Sequence, residues 1–438
     1  MQPHLKHYQH EYQQLANKLP GQGLAWLQAF REQALAELIS QGFPNQRHEN
    51  WKYTPTDYLL SHPFTSHSSS KANLSDNELI NNLPIIPGDH YRLIFIDGFY
   101  QAALSQLPSL PKGVILQNLA QALNDRPDQL KPYYKLALKH AHGFNLLNNC
   151  LAQDGIYLAI SENIHLEQPI HIIYISSHEK TAAHLHNIIA LSPQAQATVI
   201  EHFYGAKDLS YFNNTLTHIT LAEQSQLTYI KCQQEGNASF HISSTWVQQQ
   251  HSSLLNAHAL ALRGQWIRCD LQVDLEGEHA ASHLHGIYCA YQQQHIDHHT
   301  LIEHRQPSCV SREWYKGIAH EQGHAIFNGK IIVAKDAQHS DAHLRNNNLL
   351  LANTAEIDTK PELEIYADDV KCAHGATVSQ LSADTIFYLM SRGISETKAR
   401  RLLTHAFVAE VVDEITQPIL RNYCQTLLTQ SMGGSLRE

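Results

Sequence analysis

Cys372 and His374 stand two residues apart in the run Ala367-Asp368-Asp369-Val370-Lys371-Cys372-Ala373-His374-Gly375-Ala376-Thr377. In an extended strand that spacing puts both side chains on one face. A thiol and an imidazole so placed can take iron, zinc or sulfur species. Lys371 falls on the other face, close enough in sequence to lower the thiol's pKa slightly. Gly375 is expected to allow a tight bend just beyond the pair. Spacing alone leaves a second reading open: a cysteine buried in a strand and followed by a polar turn, because Cys is among the most buried residue types.

Other constellations carry less. His320-Glu321-Gln322-Gly323-His324 fits H-E-x-x-H, but zinc chemistry needs both histidines on one helix face and a third ligand downstream. Gly323 interrupts any helix, and the flanks around Trp314 and Phe327 alternate as strands, so this is read as a polar turn. The pairs His184/His186, His283/His285 and His298/His299 have no cysteine or carboxylate set at ligand spacing and read as solvated strands. Asn328-Gly329-Lys330-Ile331 has Ile331 where a phosphate loop needs Ser or Thr, so any ATP dependence must come from a partner. Glu303, His304, Ser308 and Ser311 offer acid, base and hydroxyl without a nucleophile elbow.

These residues must be positioned by short strands. From Gly155 to about Thr377 alternating apolar and polar runs recur every ten to twelve residues or so, among them those around Ile170, Thr198, Leu227, Leu254, Ile267 and Ile331. So many short strands mean a sandwich, a barrel or a solenoid, and their number favours a solenoid whose coils stack only on their neighbours. Such a stack has open ends that must be capped or paired, which predicts association through the last coils. Before it, residues 1–150 read as a helical and α/β cap. Helices are expected over 5–19, 24–41 and 130–149, a strand over Arg92–Tyr100, and a flexible Ser/His-rich linker over 62–76. Glu49-Asn50-Trp51-Lys52-Tyr53-Thr54 reads as an aromatic loop packed on the core. The solenoid is expected over 151–380. A helical subdomain follows over 381–432, its helices opened by Ser382, Ser395 and Pro418, with a disordered tail from Gly433.

The formal net charge of −10 argues against a nucleic-acid backbone as ligand. The 32 histidines, read as mostly solvent-facing, would cancel that charge as the pH falls through about 6.5. Seven scattered cysteines with no C-x-x-C pair point to reduced thiols in a cytosol. The polar N-terminus has no signal-peptide character, and no apolar run is long enough to span a membrane. A soluble cytoplasmic protein is expected.

The run from Gln338 to Gln380 resembles the C-terminal core signature of the SufB/SufD family, scaffold subunits of the SUF iron–sulfur cluster assembly machinery. Asn346-Asn347-Asn348-Leu349-Leu350-Leu351, then Ala355 through Cys372, then His374-Gly375-Ala376-Thr377-Val378 carry the likeness, with Ser379 standing where the family usually has a second glycine. Trp51-Lys52-Tyr53-Thr54 and the chain length are more similar to the SufD branch, and no cysteine pattern suggests the sulfur-accepting site of SufB. The resemblance implies a mainly β protein with a right-handed parallel β-helix core. It implies pairing with SufB through the last coils and docking of the ATPase SufC by the C-terminal helices. Cys372 and His374 would then face the seam. His374 would be an iron or cluster ligand and Cys372 a secondary ligand or transient sulfur handler. No cofactor is expected on the isolated chain. An iron–sulfur cluster would sit transiently at the interface, reduced flavin is conceivable in the complex, and the chain alone can form a homodimer. Two rivals stay open: a β-solenoid enzyme acting on polysaccharide, and a purely structural scaffold half in which Cys372 and His374 are ordinary core and turn residues.

Overall fold

The computed structural model describes residues 3–67, 82–138 and 141–435. Most of the Ser/His-rich stretch lies outside the described residues. At its start Thr65 forms a bridge with Thr181.

The N-terminal helices are α1 (Pro3–Leu15) and α2 (Ala25–Gln41), followed by the short α3 (Asp57–Leu60). Gly42, at φ 73°, ends α2 in the left-handed region that glycine adopts without penalty. Strands β1 (Tyr91–Ile96), β2 (Phe99–Tyr100) and β3 (Val114–Asn118) lead into α4 (Leu119–Asp125) and α5 (Pro127–Leu136). The single helix expected over 130–149 is broken. After α5 a new helix, α6 (Gly143–Leu151), starts where the His142 ring accepts a hydrogen bond from the Phe144 N–H.

Strands β4 (Ile156–Ile160) to β19 (Lys371–Ser379), numbered in chain order, build the solenoid. Odd-numbered strands from β5 form one parallel sheet and even-numbered strands from β4 the other, so each coil contributes one strand to each wall. Antiparallel β1–β2 and β3–β4 pairs sit at the N-terminal end, with β1 parallel to β5. The two inner faces enclose a core that includes Leu185, Val199, Leu227, Leu255, Ile267, Leu284, Ile302, Phe327 and Leu344. Burying each such side chain is worth roughly 1.5–3 kcal/mol. Corners between strands use left-handed residues that are polar rather than glycine: Gln194, Gln224, Ser252, His279, Ser308 and His339. Their backbone N–H groups donate from coil to coil, Gln224 to His251, Ser252 to Glu278, His279 to Pro307, Ser308 to Gln338, and finally His339 to Asp369 at 2.6 Å. This ladder holds the Asp368-Asp369 turn before β19.

The C-terminal helices are α7 (Ala383–Ser391), α8 (Glu396–Asp413) and α9 (Pro418–Ser435), the last running past the expected end at Gly433. Helices α8 and α9 pack Val408, Val411, Cys424 and Leu427 on Ile200, Ile230, Leu260 and Ile318 of the odd-numbered sheet. Lys316 Nζ fixes α8 by donating to the Phe407 carbonyl at 2.7 Å and to Glu410 at 2.8 Å. None of the described helices is long and apolar enough to cross a membrane.

Candidate functional site at the open end of the solenoid

The last coil consists of β18 (Glu356–Ile365) and β19. Among the described residues strand β18 pairs only with β16 (His324–Val333), and β19 only with β17 (Asp341–Leu350), so each presents a bare edge there. Parallel, in-register stacking fixes which way the side chains point. Cys372 lies on Ala342, His374 on Leu344, Ala376 on Asn346 and Val378 on Asn348, all four of the supporting residues buried or nearly so. Cys372, His374, Ala376 and Val378 therefore continue the interior columns, but with no coil above them. On the other wall Ile357, Thr359, Leu363 and Ile365 extend the columns of Ala325, Phe327, Ile331 and Val333. Ile365 is 42% and Val378 48% exposed, an apolar rim that a monomer leaves to water.

Six of the seven cysteines are buried, and Cys372 is the half-buried one. It packs with Val370 against the solenoid core, while His374, two residues on, is exposed. Burial pushes the Cys372 thiol up. A backbone bond at Ala342 opposes the rise, and the charge of Asp341 adds to it. The expected depression by Lys371 is therefore absent, since Lys371 lies on the outer face where water screens it. The bend expected at Gly375 is absent as well: β19 runs unbroken to Ser379, whose hydroxyl donates to the Asn348 carbonyl at 3.2 Å. The pair thus sits within a straight edge strand.

Beneath the last coil the core turns polar. Asn346 Nδ2 donates to the Tyr288 hydroxyl at 2.8 Å, which donates to Asn348 Oδ1 at 2.6 Å. Asn348 Nδ2 donates back to Asn346 Oδ1 at 2.6 Å, and Thr359 joins from the opposite wall at 2.8 Å. This satisfied network ties β17 to β18 across the interior. One column further, Glu313 stacks under Leu344 and hence under His374.

The remaining motifs fall into place. His320 to Gly323 is a turn between strands, with Glu321 at φ 58°, so the H-E-x-x-H residues share no helix face. Asn328-Gly329-Lys330 lies inside β16. His304 Nε2 is 2.8 Å from Ser311 Oγ, but both are fully buried in the solenoid and Glu303 is held outside by Arg305. The histidine pairs correct the solvated reading. His184, His186 and His298 are buried, and His283 and His285 are partly so. Burial drives His184 down to about 3 and His298 and His285 to about 4.

Sequence reasoning missed the anchor of the aromatic loop. The Arg268 guanidinium lies 4.5 Å from the Trp51 ring centre, donates to the Asn50 carbonyl at 2.9 Å, and pairs with Asp297 at 2.6 Å and Asp270 at 2.7 Å. Burial pushes both carboxyls up, but Arg268 with His299 outweighs it and holds them well below the usual carboxylate range. Arg268 and Asp270 share the outer face of one strand, the only signal the sequence offered. Helix α7 forms where Ser382 was expected to open it; what patterning did not show is that it leaves Phe387 74% and Tyr388 56% exposed.

By its fold the chain is a parallel β-solenoid protein whose last described coil carries a thiol and an imidazole. Residues 173–407 match the family model described as SUF system FeS cluster assembly, SufBD core domain, and residues 2–172 match the SufBD protein N-terminal region. The chain belongs to the SufB/SufD family, whose role is iron–sulfur cluster assembly. It is 32% identical to the iron–sulfur cluster assembly protein SufD of Escherichia coli, over 93% of both chains. It is also 32% identical to a SufBD family iron–sulfur cluster assembly protein of Synechocystis, over 88% of this chain and 87% of that one. A chloroplastic protein of Arabidopsis thaliana is 27% identical over 90% of this chain and 84% of its own length.

Proposed function

We propose that this chain is a non-enzymatic scaffold subunit that pairs with a SufB partner through its last coil and docks the ATPase SufC through its C-terminal helices. The observation that carries this reading is the coincidence on one uncapped coil of two bare strand edges, an apolar rim, and the row Cys372–His374. A partner strand added to β19 would satisfy its backbone groups and bury that row at a seam. There the exposed His374 offers a ring nitrogen to iron or to a nascent cluster, and Cys372 a protonated thiol that becomes a ligand on losing its proton to water. Exposed Phe387 and Tyr388 on α7 supply the kind of aromatic anchors that bind a partner domain.

Co-expression with SufB and SufC and sizing with mass detection tests the assembly. One copy of this chain with one SufB and two SufC is expected, and a monomer that ignores both partners overturns the reading. In the assembled complex His374→Ala should lower cluster formation at least tenfold while the subunits still co-elute. Unchanged cluster formation would leave the chain a purely structural half.

A further inference from the structure

His324 ends an H-E-x-x-H run that forms no helix, yet the fold gives it other company. It opens β16, paired in register with Glu356, the first residue of the edge strand β18, and Asp358 follows on the same outer face. One ring nitrogen of His324 and one carboxylate oxygen each from Glu356 and Asp358 all lie within 4.8 Å of one another. The His324 Nε2 to Asp358 Oδ2 distance is 2.7 Å. His320 takes no part, its ring lying 6.4 Å from that of Tyr291.

We propose that His324, Glu356 and Asp358 form a binding site for a divalent first-row transition ion such as Fe2+, Mn2+ or Zn2+, separate from the Cys372–His374 row. Two carboxylates balance the charge of a divalent ion. The imidazole disfavours the all-oxygen preference of Mg2+ and Ca2+, and no thiolate is present to favour Cu+. Ligand atoms roughly 2.1 Å from an ion stand about 3 Å apart, so the three groups reach it by small side-chain rotations, with the imidazole giving up its contact with Asp358. Glu356 is exposed and His324 and Asp358 are partly so, which leaves an entry path and positions for water on the ion. The turns that precede the two strands, at Glu321–Gln322 and Ala352–Thr354, line a groove of about 730 Å3 together with Gln265, Gln292 and Gln293, and its amide and carboxylate oxygens suit a hydrated cation. The groove is kept in shape by Gln265 Nε2 donating to the Gln293 carbonyl at 2.9 Å and Gln293 Nε2 donating to Gln322 Oε1 at 3.1 Å. Because β18 is a free strand of the last coil, an ion here would also pin it to β16.

The test is titration of the full, untagged chain with Mn2+ followed by electron paramagnetic resonance, and with Zn2+ followed by calorimetry. One specific site per chain is expected. His324→Ala and Asp358→Asn should each weaken binding by 10- to 100-fold, as loss of a ligand or its support usually does, while His374→Ala leaves it unchanged. Circular dichroism of each variant separates ligand loss from misfolding. Full-strength binding in both His324→Ala and Asp358→Asn overturns the site, as does a loss that tracks His374→Ala instead. No binding beyond weak, many-site association with the parent chain reduces the cluster to an ion pair.

Discussion

At the scale of single residues the two groups that matter most here are exposed and buried in opposite senses. His374 is free to water, whereas Glu313, stacked below it in the same column, is a fully buried carboxyl whose pKa burial pushes up to about 8. The folded chain therefore keeps a proton on Glu313 that the unfolded chain releases above about pH 4.5. Between those values the unfolded state binds fewer protons, so this residue's contribution to stability falls as pH rises from about 4.5 to 8. Glu313→Gln removes that dependence. The variant should melt several degrees higher than the parent at pH 8, with the difference shrinking to nothing near pH 4. A gap that does not change with pH would show that Glu313 is ionised inside the fold. The Cys372–His374 pair was legible in the sequence because strand alternation fixes facing. The thiol's pKa was not, because it depends on burial against Ala342 and on Asp341, neither adjacent to it in sequence.

At the scale of elements, the aromatic loop is joined to the solenoid chiefly through Arg268, with Thr54 donating to Asp297 beside it. Trp51 is buried against Phe144, and its other side carries Arg268, whose two carboxylate partners lie on neighbouring coils. Trp51→Ala removes both the packing and the cation–π contact, and should cost about 3–5 kcal/mol of stability, measured by denaturant unfolding. A loss under 1 kcal/mol would mean that the N-terminal elements dock independently of the loop. Alternation in the sequence showed the strands and the aromatic loop, since both follow local patterning. It did not show the break between α5 and α6 or the straight course of β19 through Gly375. The first comes from a cap formed by His142, and the second from pairing with β17, which holds a glycine extended as readily as any residue.

At the scale of the whole molecule the histidines act together. Burial depresses His184, His202, His218 and His258 to about 3, and His285, His295, His298 and His304 to about 4. Each stays neutral in the folded chain and gains a proton on unfolding once the pH is below about 6.5. Their depressed pKa values contribute stability that is fully present above that pH and is lost progressively as the pH falls towards 3–4. Unfolding near pH 5 should take up roughly one proton per such group, on the order of eight, seen as a steep fall in melting temperature between pH 6.5 and 4. Uptake of only one or two protons would place these side chains in water. Composition suggested instead that the histidines retitrate the surface, because counting cannot distinguish a bare outer face from one covered by helices, or from the interior face that His298 and His304 share with Ile296 and Ile302.

The uncapped coil also makes the chain's lifetime depend on its supply. An edge strand with unpaired backbone groups will accept any extended segment, including that of a misfolded neighbour. Strand β18 defends itself with Pro361, which has no N–H to offer, and with the charged side chains of Lys360 and Glu362. Strand β19 has neither device beyond Lys371, and its small residues leave it flat. On the pairing proposed above, copies left without a partner at that end are the ones exposed to aggregation, so their lifetime follows the supply of that partner.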